Sequence, residues 1–189
     1  MTTDAVRAGT PRAATLPSNL LTGVTLVAGC VALLARPVSD AFIPITIAVA
    51  IAGALHPRTD ARAMGVDRGV WIFSVAIGAG AFAAVRGALG PNLLPPPTGW
   101  LLGSVVVAAF AEEAFFRRFA YDAFIRWGAP VAIAASSLAF AIVHVTLWGW
   151  RAVPVDLAAG LLLGWQRWAT GSWTAPAVTH AAANIAMLV

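Results

Sequence analysis

The chain is built from seven apolar runs: Leu20–Ala35, Ala41–Leu55, Val70–Val85, Gly99–Phe116, Ala129–Trp150, Val155–Ala169 and Ala175–Val189. A helix needs about 20 apolar residues to cross the hydrocarbon of a bilayer, so several runs need help from their flanks. The second, interrupted by Pro44, and the last are the weakest spans. Inside lipid every backbone N–H and C=O must be satisfied within the chain, which helices do segment by segment. The runs therefore predict an all-α bundle of about seven membrane spans. Their connectors are short and rich in Pro and Arg, as in "HPRTDARAMGVDR" and "GPNLLPPPTG".

Charge content supports that solvent. Only 11% of the residues are charged, against about 25% in a soluble domain. The 12 basic residues are all Arg, and they stand singly or in pairs between apolar runs. No basic face exists to bind phosphates, which excludes nucleic acid as a partner. Membrane lipids are the expected surroundings. Cys30 is the single cysteine, so no internal disulfide is available. The "LVAGC" that precedes it resembles a lipoprotein processing site, but a small-residue patch within the first span accounts for it. Gly160 and Gly164 are four apart and suit close packing between helices of this chain.

Arg placement orients the bundle. Arg7, Arg12, Arg58, Arg62, Arg68, Arg117, Arg118, Arg126 and Arg167 fall on one side of the membrane, and Arg36, Arg86 and Arg151 on the other. Cytoplasmic loops carry the excess, so the N-terminus is expected in the cytoplasm, in a bacterial inner membrane. Residues 1–19 read as a flexible polar tail, 20–97 as N-terminal membrane helices and 98–189 as the functional core. Trp residues cluster near the ends of runs, as interfacial anchors do.

Against this background the stretch "AEEAFFRRF" stands out. Glu112 and Glu113 are the only glutamates, and they end a run without charge. An ionisable group in the membrane costs roughly 2.5–3.5 kcal/mol on insertion scales, so such groups are functional candidates by default. Glu113 and Arg117, four apart with Glu first, suit a helical ion pair. Glu112 is about 100° further round the helix and needs another partner. Burying two adjacent carboxylates demands cations or a proton beside them.

The partner can be read from depth. With a turn at Gly128, Glu112 lies sixteen residues before it and His144 sixteen after. At 1.5 Å per residue both stand about 24 Å from the turn, so antiparallel helices bring them level. Phe140 is one turn before His144 on the same face. A carboxylate and an imidazole at one depth can polarise a water. His180 and Asn184, four apart and separated by alanines, project from one face of the last run. They offer hydrogen-bond donors of the kind that hold an oxyanion. Asp156, at the edge of the sixth run, reads as an interfacial cap. For His180 to reach Glu112, the "GSWTAP" segment must dip into the bilayer.

Glu-Glu-x-x-x-Arg (Glu112, Glu113, Arg117), Phe-x-x-x-His (Phe140, His144) and His-x-x-x-Asn (His180, Asn184), in that order on successive apolar helices, resemble the three motifs of the CPBP family. These are the intramembrane CAAX-protease and bacteriocin-processing proteins, also called Abi or Rce1-like. The resemblance covers about residues 98–189. It implies an all-α membrane bundle around a catalytic cavity. It also implies Glu112 as the base that activates water, His144 as its assistant, and His180 and Asn184 as oxyanion holders. Glu113, Arg117 and Phe140 would support them. The implied substrate is a membrane-associated protein or peptide: a CAAX-like tail, a leader peptide or a C-terminal sorting tail.

Other chemistries fit less well. The chain has no His-Glu-x-x-His zincin motif and no Gly-x-Ser-x-Gly elbow. Zinc held by Glu112, His144 and His180 is the alternative to a metal-free site. The histidines lack a chelating spacing, and Asn184 is an unusual ligand, so the expectation is no cofactor. A non-catalytic immunity or scaffold protein would keep the same polar cluster for packing. A small proton-coupled transporter would use Glu112 and His144 as a relay, but the chain shows no inverted repeat. The orientation is testable with reporter fusions. Fusions at Thr10 and within Asp60–Gly65 should report cytoplasm, and one at Pro96 the outside; a cytoplasmic signal at Pro96 contradicts the span count.

Overall fold

A computed structural model describes residues 18–35, 42–55, 66–88 and 97–188, and every regular element in them is helical. The segments 1–17, 36–41, 56–65 and 89–96, and residue 189, lie outside the described residues. With them go Arg7, Arg12, Arg36, Arg58 and Arg62, which carry much of the orientation argument.

Helices α1 (Ser18–Ala35), α2 (Phe42–Leu55) and α3 (Arg68–Ala88) come first. Ser18 and Asn19, read from sequence as the end of a tail, open α1. Pro44 lies in the first turn of α2, where no intrahelical N–H is needed, and so starts the helix instead of breaking it. Thr98 accepts a hydrogen bond from the Leu101 amide and caps α4 (Gly99–Glu113). This helix then passes without a break through a π-helical segment, Ala114–Ala120, into α5 (Tyr121–Phe124) and a 3-10 turn to Trp127. Helices α6 (Ala129–Trp148), α7 (Val153–Thr170) and α8 (Thr174–Leu188) complete the core.

Three of these helices are long and apolar enough to cross a membrane: Arg68–Ala88, Gly99–Trp127 and Ala129–Trp148. The chain is an integral membrane protein. Trp100, Trp127, Trp148, Trp150 and Trp168 are exposed near helix ends. The fourth helix corrects one sequence expectation. Arg117 was counted as a loop charge, yet it lies inside that helix and is fully buried. Arg167, also counted as a loop charge, is buried in the last turn of α7. Neither charge faces water, so neither acts as a topology signal; the Arg bias keeps its sign without them.

Small residues set the helix spacing. A Cβ on Gly160 would stand 3.0 Å from Ser137 Cβ, and one on Gly164 would stand 3.0 Å from Ile133 Cγ2. The Gly160–Gly164 pair thus packs α7 on α6 within the chain, as its spacing suggested. Gly53 of α2 comes closer still: a Cβ there would lie 2.4 Å from the Ala114 carbonyl carbon. The π segment therefore leans directly on the α2 backbone. Phe115, Phe116 and Phe119 of that segment, with Phe140, Val143, Leu33 and Val49, make the buried core, against which Leu26 and Cys30 of α1 pack.

Helices α3 and α8 run parallel. The Trp71 indole donates to Thr174 Oγ1 at one end, and Arg86 Nε donates to the Ala186 carbonyl at the other. Between them the Gln166 amide of α7 donates to the Ser74 carbonyl and to Thr179 Oγ1. Such interhelical polar bonds hold helices together where lipid supplies no hydrophobic drive. Overfilling the α2 contact is the direct test of this packing. Gly53→Leu should destabilise the protein by about 1–3 kcal/mol or more, read as a lower unfolding midpoint in detergent micelles. Gly80→Leu, at a position with nothing within 4 Å, should leave the midpoint unchanged.

Candidate active site

Glu112 and Glu113 end α4 just before the π segment, and both are buried. A π turn is wider than an α turn and often marks a functional position in a helix. Here it delivers Arg117 beneath Glu113. Arg117 Nε lies 3.2 Å from Glu113 Oε2, as the spacing suggested, with its N–H off the line to that oxygen. Arg117 Nη2 donates to the Gly160 carbonyl at 3.0 Å. The guanidinium also lies over the Phe140 ring, 4.6 Å from its centroid, a cation–π contact between two buried groups.

His144 comes level with Glu112. Its Nε2 is 3.5 Å from Glu112 Oε2. The depth match read from sixteen residues on each side of Gly128 holds, although the first arm contains the π segment and a 3-10 turn. His144 Nδ1 is 2.7 Å from the Phe140 carbonyl. A carbonyl only accepts, so Nδ1 carries the proton and Nε2 is the atom turned to Glu112. Phe140 does more than share a face with His144. Its ring stacks on the His144 imidazole at 4.4 Å and meets the His180 ring edge-on at 5.6 Å.

His180 reaches both glutamates. Nδ1 is 2.9 Å from Glu113 Oε1, and Nε2 is 4.0 Å from Glu112 Oε2. The carboxylate of Glu113, paired with Arg117, is an acceptor, so His180 Nδ1 is also protonated. Both imidazoles thus turn Nε2 toward the same oxygen of Glu112. The sequence reading gave Glu113 one partner, Arg117; the structure divides it between Arg117 and His180. Asn184 stands apart from this group. It is partly buried, and its amide donates to the Val105 carbonyl over a long 3.4 Å.

His180 is placed by a turn that lies short of Gly128. Arg167, in the last turn of α7, bonds the Arg117 carbonyl and Asp122, so α7 ends beside Arg117–Asp122 of the fourth helix. Gly171, with φ of 65°, then closes α7 in the left-handed conformation that glycine adopts without strain. The turn satisfies itself. Thr170 Oγ1 donates to the Gln166 carbonyl and receives the Ser172 amide, and Ser172 Oγ bonds Thr174 Oγ1. Irregular backbone among membrane helices needs such internal partners.

Sequence reasoning missed three features. The π segment has no periodicity signal in "AFFRRFA". The Arg167–Asp122 pair joins residues 45 apart, and only the burial of two lone charges could have announced it. Asp156 was expected to be an interfacial cap, yet α7 has no side-chain cap. Its Oδ2 is buried without a hydrogen-bond partner, and its charge lies within range of His144, Glu112 and His180. Among the described residues no three of His, Cys, Asp and Glu form a metal-binding group.

A family model described as "Type II CAAX prenyl endopeptidase Rce1-like" matches residues 94–186. That segment starts just before α4 and ends within α8, so it takes in all seven residues of the three motifs. No curated protein and no solved structure matches the chain.

The Glu113–Arg117 pair predicts a large effect on stability. Removing one partner of a buried ion pair costs about 3–5 kcal/mol, because the other charge is left uncompensated. Arg117→Ala should therefore lower the unfolding midpoint in micelles sharply. An unchanged midpoint would mean that Glu113 is not ionised in the folded protein.

Proposed function

Through residues 94–186 the chain belongs to the Rce1-like family of type II CAAX prenyl endopeptidases, and on that premise we propose that it is an intramembrane endopeptidase whose base is Glu112. One observation carries the mechanism. Glu112 Oε2 faces two imidazole nitrogens from two other helices, at 3.5 and 4.0 Å, in a buried site. These separations are long for direct hydrogen bonds and suit groups that share a water.

In this reading Glu112 takes a proton from water as the oxygen attacks the scissile carbonyl. His144 Nε2, its other nitrogen fixed by Phe140, orients that water and passes the proton toward the leaving amine. The carbonyl oxygen becomes an oxyanion as the tetrahedral intermediate forms. His180 donates to it from Nε2 as an imidazolium, with Glu113 at its back. Before the attack charge balances, with Glu112 and Glu113 negative and Arg117 and His180 positive; after it Glu112 is neutral and the oxyanion carries the second negative charge. Asn184 supplies the second donor by leaving its long bond to Val105. A bond of 3.4 Å is weak enough to be exchanged for a charged acceptor.

We read the seven helical rods as seven spans in a bacterial inner membrane, with the N-terminus cytoplasmic. The three longest satisfy the length requirement alone; the others are shorter and pack around them. The substrate is a peptide bond of a membrane-associated protein or peptide: a CAAX-like tail, a leader peptide or a C-terminal sorting tail. No metal enters the proposed chemistry.

Cleavage of fluorogenic reporter peptides, prenylated and unprenylated, by the purified protein in liposomes tests this. Glu112→Gln, His144→Ala and His180→Ala should each reduce cleavage to background while the protein still accumulates. Asn184→Ala should retain activity lowered by about 10²–10³-fold, the effect of one lost oxyanion donor. Chelator should have no effect. Full activity in Glu112→Gln contradicts the mechanism, and activity lost to chelator and restored by zinc contradicts a metal-free site.

A further inference from the structure

Arg167 lies outside the three motifs, yet it is 7% exposed and makes three contacts with the helix that carries Glu112. Its Nε donates to the Arg117 carbonyl at 2.9 Å. Its Nη2 donates to Asp122 Oδ1 at 2.9 Å. The guanidinium lies over the Tyr121 ring, 4.9 Å from its centroid. All three contacts fall on Arg117–Asp122, where the π segment returns to α helix.

The first contact is the informative one. In an α helix the Arg117 carbonyl would receive the amide of Tyr121. That amide instead bonds the Phe116 and Arg118 carbonyls, so it bypasses Arg117. Arg167 donates to the carbonyl that the wide turn has passed over. On the same residue the Arg117 side chain donates to the Gly160 carbonyl, two turns earlier on α7. Helix α7 thus grips Arg117 at its backbone and at its guanidinium. From Arg117 the contacts run on to Glu113 and from Glu113 to His180 Nδ1.

We propose that Arg167 is a positioning residue for the active site: it holds the π segment in register and, through Arg117 and Glu113, fixes the His180 ring with Nε2 toward Glu112. A lysine cannot replace Arg167, since a single ammonium offers no planar fork to reach a carbonyl and a carboxylate at once. What the positioning is for rests on the protease reading; the positioning itself does not.

The test separates the two. The chain has three histidines, His56, His144 and His180, so the full-length protein labelled with 15N-histidine gives a spectrum that single substitutions assign. In micelles the wild-type His180 should show a protonated Nδ1 hydrogen-bonded to a carboxylate. In Arg167→Gln and Arg167→Lys that signature should be lost, while His144, held by the Phe140 carbonyl, keeps its own. With a reporter peptide, kcat should fall at least about tenfold with little change in KM, as expected when only the transition state loses stabilisation. An unchanged His180 signal in a folded Arg167→Gln chain overturns the proposal, even if stability falls, because the residue would then be structural only. If Arg167→Gln does not fold, Arg167→Lys and Asp122→Asn are read in the same way. A lost His180 signature with no cleavage by the wild-type chain would keep the positioning role and remove the protease reading.

Discussion

Two adjacent carboxylates inside an apolar bundle cannot be left without charge partners, and meeting that demand organises the rest of the core. An isolated buried carboxylate costs several kcal/mol even after relaxation. Glu113 is met by Arg117 from its own helix and by His180 from α8. Glu112, turned to another face, is met by His144 from α6 and His180 from α8. The three charged or chargeable partners therefore come from three helices. None of those helices can slide by a turn without leaving a buried charge exposed to apolar side chains.

The packing is subordinate to that arrangement. The π segment turns Arg117 under Glu113, and its three Phe side chains fill the space around the wider turn. Gly53 lets α2 lie against the segment, and Gly160 lets α7 approach α6 while its carbonyl receives Arg117. Phe140 joins the apolar and polar layers: its carbonyl sets the His144 tautomer, and its ring covers Arg117 and both imidazoles. The N-terminal helices share in this, since α3 is bonded to α7 and α8 through Gln166 and Thr174. The family match covers only 94–186, but the site's supports extend beyond it.

Much of this was legible in the sequence because membrane helices are long and few residues in them are polar. The apolar runs predicted the helices to within a few residues, except the fourth, which runs on past Phe116 to Trp127, and the depth of Glu112 and His144 followed from counting to one turn at Gly128. The spacing of Glu113 and Arg117 predicted their pair. What stayed hidden depends on backbone that departs from α geometry or on pairs far apart in the chain. A π turn shows no periodicity over seven residues. Arg167 read as a loop charge because it follows an apolar run; only the fold shows that α7 ends beside Asp122. The second partner of Glu113 was equally unreadable, since 67 residues separate it from His180.

The central claim is that Glu112 directs water onto a peptide bond within the membrane. Incubating the purified protein in liposomes with membrane proteins from cells that lack it, in H2 18O, records that event as it happens. Mass spectrometry of the products should find new C-termini carrying one 18O with the wild-type chain and none with Glu112→Gln. New C-termini of the same kind with Glu112→Gln, or no labelled C-terminus with the wild-type chain, would contradict the account.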